Sequence, residues 1–266
     1  MAPASCPAIQ PGPMPHSLVK RTLPLLFALL VACSSAGARA PTEITVAAAA
    51  SLSAVFPQIG AGFERAHPGV HVRFTFSSSN GLATQIREGA AVDVFASASP
   101  QWIDAVAADP GVLQRAIFAR NRLVLIVPKD NPAHITKFAD IARPGLRLVV
   151  AAVGVPAGDY ARQAFALAGL RGARNIVSNE QDVEGVVQKV VSGDADAGIV
   201  YATDVTATVA QSVIAIELPA SANVIAKYEI AVILGSKVSF ESRAFLTYVL
   251  GPGQAALREA GFSAPA

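Results

Sequence analysis

A chain of 266 residues, 52% hydrophobic and 15% charged with a formal net charge of +2, is neither a disordered tail nor a charge-rich nucleic-acid binder. No apolar run reaches the roughly 18 residues that a membrane-spanning helix needs, which excludes a polytopic membrane protein, and the length suits one or two globular lobes. The charge is uneven: no Asp or Glu precedes Glu43, so beyond residue 33 the Lys+Arg count falls from 21 to 19 and balances 19 Asp+Glu.

The chain opens on a leader. His16, Lys20 and Arg21 form a basic segment ahead of the ten-residue apolar run Leu23–Ala32, which is too short to cross a bilayer and has the proportions of a secretory signal. That run ends in Leu30-Val31-Ala32-Cys33, which resembles the lipobox of bacterial lipoproteins, whose cysteine is lipidated and becomes the first residue. Residues 1–33 are therefore read as a signal peptide with Cys33 as the lipid-attachment site. Cleavage after Ala38-Arg39-Ala40 is the alternative, disfavoured by Pro41. Cys6 and Cys33 are the only cysteines, so the body has neither a disulfide framework nor a Cys-based metal site.

From Ile44 onward short strands alternate with helical segments. Ile44–Ala49 is continuously apolar, as in a strand buried on both faces. Val70–Phe76 alternates strictly and puts Val70, Val72, Phe74 and Phe76 on one face. Leu123–Val127, Leu148–Ala152, Gly198–Val200, Val213–Ile216 and Ile230–Leu234 read as further strands. Helices are expected near 53–66, 81–89, 100–107, 157–168, 182–192, 241–249 and 253–260. This alternation predicts an α/β fold with mostly parallel sheets. The body exceeds the commonest domain size, so two lobes are expected, with short strand-like crossings near Ala119–Arg122 and Ala226–Tyr228.

The sequence offers little catalytic chemistry. His67, His71 and His134 are far apart in polar or turn-like settings, and no nucleophile elbow, zinc-protease motif or phosphate loop occurs. The carboxylates form no recognisable acid/base pair. What recurs is a small-residue segment between a strand and a helix: Ala47–Ser53, Ser77–Gly81, Val155–Gly158 and Glu180–Val183, with Tyr201 at the end of Gly198–Tyr201. Each such junction presents unpaired N–H groups at the positive end of a helix dipole, where an oxyanion is the natural guest. In an open α/β sheet these junctions gather at the carboxyl ends of the strands. Ordinary helix capping accounts for any one of them taken alone.

At these residues the chain resembles the molybdate-binding proteins of bacterial ABC importers. The resemblance rests on Ile44-Thr45-Val46 leading to Ser51-Leu52, on the segment Phe76–Ile86, and on Asp93–Ala98, Val155–Gly158, Asp182-Val183 and Gly198–Tyr201, all in the family's order. It covers Ile44 to Phe262. It implies a two-lobed periplasmic-binding-protein fold of type II, each lobe a mostly parallel sheet flanked by helices, with 41–121 plus 227–266 in one lobe and 122–226 in the other. By position it implies a tetrahedral dianion held by the hydroxyls of Ser51 and Ser79 from one lobe. The backbone N–H groups of Ala157 and Val183 and the hydroxyl of Tyr201 come from the other. Glu184 departs from the pattern, standing where family members often carry a basic residue, and Asn80 extends the serine run.

The expected function is capture of molybdate or tungstate, as a monomer in the periplasm or at the outer face of the cytoplasmic membrane, for a transmembrane permease and its ATPase. No cofactor, direct metal ligand, nucleic acid or catalytic residue is expected. Molybdate and tungstate are fully deprotonated at neutral pH and present only acceptors, so neutral donors can satisfy them. Phosphate retains a proton that would need an acceptor, and an unsatisfied buried polar group costs about 1–3 kcal/mol. Sulfate escapes this filter and remains an alternative guest, as does, in a different class, an enzyme acting on a small phosphorylated or sulfated substrate.

Overall fold

The computed structural model describes residues 41–170 and 175–265, together with Gly12. The expected leader, including Cys33 and the Ala40 cleavage site, lies outside the described residues. Strand β1 (Thr42–Ala49) is buried from Ile44 onward because its apolar run packs on both faces. β2 (Val70–Ser77) lies at the sheet edge and alternates between half-buried and exposed, as its period of two dictates. Between them α1 (Phe56–Ala66) buries Phe56, Ile59, Gly60 and Phe63, the spacing of one helical face. Then follow α2 (Ser79–Arg87), β3 (Val94–Ser97), α3 (Pro100–Ala108) and β4 (Val112–Asn121).

Only Arg122 separates β4 from β5 (Leu123–Pro128), which opens a second sheet. That sheet contains β6 (Leu148–Ala151), β7 (Ile176–Glu180), β8 (Ala197–Tyr201) and β9 (Val213–Glu217), with α4 (Pro156–Leu167) and α5 (Val183–Val191) packed against it. After Glu217 the chain returns through β10 (Ala226–Ile233) to the first sheet and ends in α6 (Ser239–Leu250) and α7 (Gln254–Glu259). The strand orders are β2-β1-β3-β10-β4 and β7-β6-β8-β5-β9. Helices flank both sheets, as in the two-lobed type II binding-protein fold.

Both sheets are less parallel than the alternation of strands and helices predicts. β1 pairs in parallel with β2 and β3, and β6 with β7 and β8, whereas β10 is antiparallel to β3 and β4 and β5 is antiparallel to β8 and β9. The reason lies in the crossings. β5 and β10 each arrive from the other sheet rather than through a strand–helix–strand unit, so nothing obliges them to run with their neighbours. Strands β3, β4 and β7 also escape the pattern reading. β3 has four residues, β4 is half-buried and carries Arg115 and Arg120, and β7 leaves Val177 59% exposed at a sheet edge.

The aromatic core lies behind the first sheet, where Phe56 meets Phe118 at 5.7 Å between ring centroids and Phe63 meets Phe245 edge-on at 5.3 Å. Among the described residues no helix is long and apolar enough to cross a membrane.

One close approach fixes the entry of α4. A Cβ on Gly158 would stand 2.2 Å from the Ala151 carbonyl oxygen and 2.3 Å from that of Ala152, inside any allowed contact. Arg162 holds the same junction, donating through Nη1 to the carbonyls of Ala151 (2.8 Å) and Gly158 (2.9 Å). Gly158→Ala should therefore cost about 1–3 kcal/mol of stability as the helix start is forced off the strand. Urea denaturation of wild type and variant measures this, and equal midpoints would show that the junction yields freely.

Candidate oxyanion site between the sheets

A small cavity lies where the junctions of both sheets meet, lined in part by Ser51, Ser79, Ala157, Val183 and Tyr201. All five sequence-predicted residues thus border one space, although 150 positions separate the first from the last. The lining also includes Ala49, Ala50, Ser78, Ala98, Val155 and Asp182. Among the described residues it contains no Lys, Arg or His.

Each donor is positioned by its local fold. After β1 the chain makes a 3-10 turn, Ala50–Leu52, that turns Ser51 into the cavity with 8% of its surface exposed. After β2 the extended Ser78 precedes α2 and makes no side-chain cap, while Ser79 opens the helix at 1% exposure. After β6, Val155 precedes α4 and Pro156 takes the first-turn position, where its missing N–H costs nothing. Ala157 follows, carrying one of the amide N–H groups that a helix start leaves without an internal partner. After β7 the Asp182 carboxylate caps α5 by accepting the Gly185 N–H at 3.0 Å, which leaves the Val183 N–H uncapped at the first position.

The hydroxyls have a definite polarity. Ser79 Oγ accepts the Ala98 N–H at 3.0 Å, so its own proton remains for a guest. Ser51 Oγ lies 2.8 Å from the buried Tyr228 Oη. Tyr201 Oη is buried and has no hydrogen-bond partner among the described residues. Burial holds the Tyr201 phenol well above its ordinary pKa, with the neighbouring Tyr228 adding to the shift, so it remains a protonated donor.

Hydrogen bonds join the two halves, among them Asn121 Nδ2 donating to Thr203 Oγ1 at 2.8 Å and two beside the cavity. Ser53 Oγ donates to Glu184 Oε1 at 2.6 Å, and Trp102 Nε1 donates to the Gly154 carbonyl at 3.1 Å. Glu184, the departure seen in the sequence, therefore serves as an acceptor between the halves. A second, wider cavity adjoins the first through Ala50 and Ser51 and is bordered by Glu184 and Asp204. Among the described residues no group of three or more His, Cys, Asp or Glu side chains is placed to hold a metal ion.

Sequence reasoning missed Tyr228, Asp204 and the Ala98 amide. Tyr228 and Asp204 lie in no glycine- or serine-rich junction and act on a site residue from behind it, whereas Ala98 lies between Ser97 and Ser99 at the junction of β3 and α3.

Comparison with known proteins places this geometry in a family. The profile of the bacterial extracellular solute-binding proteins matches residues 44–263. The chain is 40% identical over 252 residues to the molybdate-binding protein ModA of Mycobacterium tuberculosis strain H37Rv, covering 91% of this chain and 95% of the relative. It is 31% identical over 243 residues to ModA of Haemophilus influenzae, covering 87% and 93% of the two chains. Among solved structures, the periplasmic molybdate-binding protein of Azotobacter vinelandii superposes with a TM-score of 0.74 at 21% identity, over 84% of this chain and all of that one (100%).

Asp204 gives the site a pH signature. Burial pushes its carboxyl up from an ordinary 3.8 to about 8, against the lowering effect of the Tyr201 N–H that donates to Oδ2 at 2.8 Å; the charge of Glu184 adds to the rise. The folded state thus keeps a proton that the unfolded chain releases near pH 4. Stability is lost as pH rises through that window and levels off above about 8. Asp204→Asn keeps the acceptor and removes the titration. Unfolding of the ligand-free protein between pH 5 and 8 should show the wild type losing up to about 1.4 kcal/mol per pH unit relative to the variant. Parallel curves would mean that the carboxyl titrates normally.

Proposed function

This chain belongs to the family of bacterial extracellular solute-binding proteins, and from that premise we propose that it captures molybdate, and tungstate, outside the cytoplasmic membrane for an ABC importer. The reading is supported most by the buried, unpartnered Tyr201 hydroxyl facing serine hydroxyls and helix-start N–H groups in one cavity. A buried polar group without a partner costs free energy, and here the missing partner is an acceptor. An ion with four deprotonated oxygens supplies acceptors on every side. No cation lines the cavity, so hydroxyls, amides and helix-end dipoles carry the electrostatics.

Ser51 and Ser79 sit on the first sheet's side and Ala157, Val183 and Tyr201 on the second's. A dianion bridging both sets favours the arrangement in which the halves are together, and so shifts the population toward the closed form. Tyr201, at the end of β8, reports directly on that bridge. Phosphate would bring a proton, and the one carboxylate on the described lining, Asp182, has one of its two oxygens engaged in capping α5. We read the chemistry of the site as binding and release, in keeping with the solute-binding family to which the chain belongs. Release is to a transmembrane permease driven by an ATPase. Lipidation at Cys33 would tether the protein to the outer membrane face of the cell's inner bilayer, whereas cleavage after Ala40 would free it.

A thermal-shift panel of molybdate, tungstate, sulfate and phosphate tests the assignment. Molybdate or tungstate at about a thousand times its dissociation constant should add about 4 kcal/mol to apparent stability. A clear response to sulfate beside none to molybdate or tungstate would overturn it. Tyr201→Phe should weaken molybdate binding by about 1.5–3 kcal/mol, the range for a hydrogen bond to a charged group. Unchanged affinity in calorimetry would reduce Tyr201 to a packing residue.

A further inference from the structure

We propose that Tyr228 is a positioning residue for anion capture, donating its phenolic proton to Ser51 Oγ so that the single proton of Ser51 points into the cavity. The inference rests on the assignment of the cavity to an acceptor-only dianion and goes beyond it, since Tyr228 is not among the residues that line the cavity.

The two oxygens are 2.8 Å apart and buried, and either can donate. Each hydroxyl has one proton, so the pair has two arrangements. If Ser51 donates to Tyr228, Ser51 has no proton for a guest and faces an anion with lone pairs. If Tyr228 donates to Ser51, the serine proton is left over and can only be used toward the cavity. An acceptor-only ion selects the second arrangement. Burial keeps the Tyr228 phenol protonated by holding it well above its ordinary pKa, so the donor is present throughout the neutral range.

Ser79 shows the same device with a different donor. Its oxygen receives the Ala98 N–H, and a peptide N–H cannot reverse its role. Ser79 is therefore fixed as a donor before any ligand arrives, whereas Ser51 is fixed by Tyr228 only when an acceptor is present. The ladder between β10 and β4 slips register between Tyr228 and Glu229. Such slips re-aim side chains. Tyr228 is fully buried and Glu229 is 5% exposed, as expected in an interior strand covered on both faces. Tyr228 is also held by its neighbours, with Tyr201 at 5.7 Å, Phe118 at 6.1 Å and Phe262 at 5.3 Å between ring centroids. The ring stays in place without its hydroxyl, so Phe isolates the proton.

A double-mutant cycle tests this, with molybdate dissociation constants measured calorimetrically for wild type, Tyr228→Phe, Ser51→Ala and the double variant. Tyr228→Phe alone should weaken binding about tenfold, and in the Ser51→Ala background it should change affinity less than about twofold. Ligand-free melting temperatures of all four proteins accompany the titrations, because loss of packing by Tyr228→Phe would weaken binding by the same factor in both backgrounds. Equal factors, or no effect of Tyr228→Phe on wild-type affinity, would overturn the positioning role alone. A wild-type protein that takes no molybdate would overturn the assignment of the cavity and this role with it.

Discussion

A hydroxyl can donate only once, and the direction in which Ser79 and Ser51 donate is set by what lies behind them. The Ala98 amide occupies one lone pair of Ser79, and Tyr228 stands 2.8 Å behind Ser51. With helix-start amides at Ala157 and Val183 and a protonated Tyr201, the polar groups on an otherwise largely apolar cavity wall are chiefly donors. Removing a doubly charged ion from water is costly unless each of its oxygens is met. A wall of this kind meets them without a counter-charge. A neutral pocket also lets go more readily than an ion pair, which suits a protein that must hand its ligand on.

The rest of the fold serves to bring those donors together. Strand ends buried on both faces place Ser51 and Tyr201 at fixed heights, and glycine at 158 lets α4 begin against the carbonyls of β6. The crossings, Arg122 on one side and 218–225 on the other, leave β5 and β10 embedded in opposite sheets. Tyr228 is near the start of β10, so the residue behind Ser51 lies beside the return crossing. Ser53–Glu184 and Trp102–Gly154 then join the two sides by neutral or charge-assisted hydrogen bonds rather than by an Arg–carboxylate pair.

The residues that line the cavity were legible because each lies in a short local pattern. A strand, a small or hydroxyl residue, and a helix start follow one another within a few positions, and periodicity finds all three. Within those junctions Ser51, Ser79, Ala157, Val183 and Tyr201 were singled out by position, through the resemblance to the molybdate-binding proteins of ABC importers, and not by periodicity. Tyr228 was not, since its partner is 177 positions distant and its strand looks like any buried strand. Asp204 read as one of many scattered acids, because its environment comes from Tyr201, Glu184 and Asp182 folding around it. The mixed pairing of the sheets was hidden for a related reason: strand direction depends on where the chain crosses, and no local period encodes that. β4 and β7 stayed hidden because, as edge strands, they keep polar residues on their exposed sides.

The central claim is that the donor wall between the sheets is the seat of the oxyanion. Crystals grown with molybdate and measured at the molybdenum absorption edge locate the metal without reference to any assumed contact. The account predicts one strong anomalous peak in the cavity bounded by Ser51, Ser79, Ala157, Val183 and Tyr201, at hydrogen-bonding reach of the oxyanion's oxygens from all five. A peak in the adjoining cavity beside Glu184 and Asp204, or none within the protein, would contradict it.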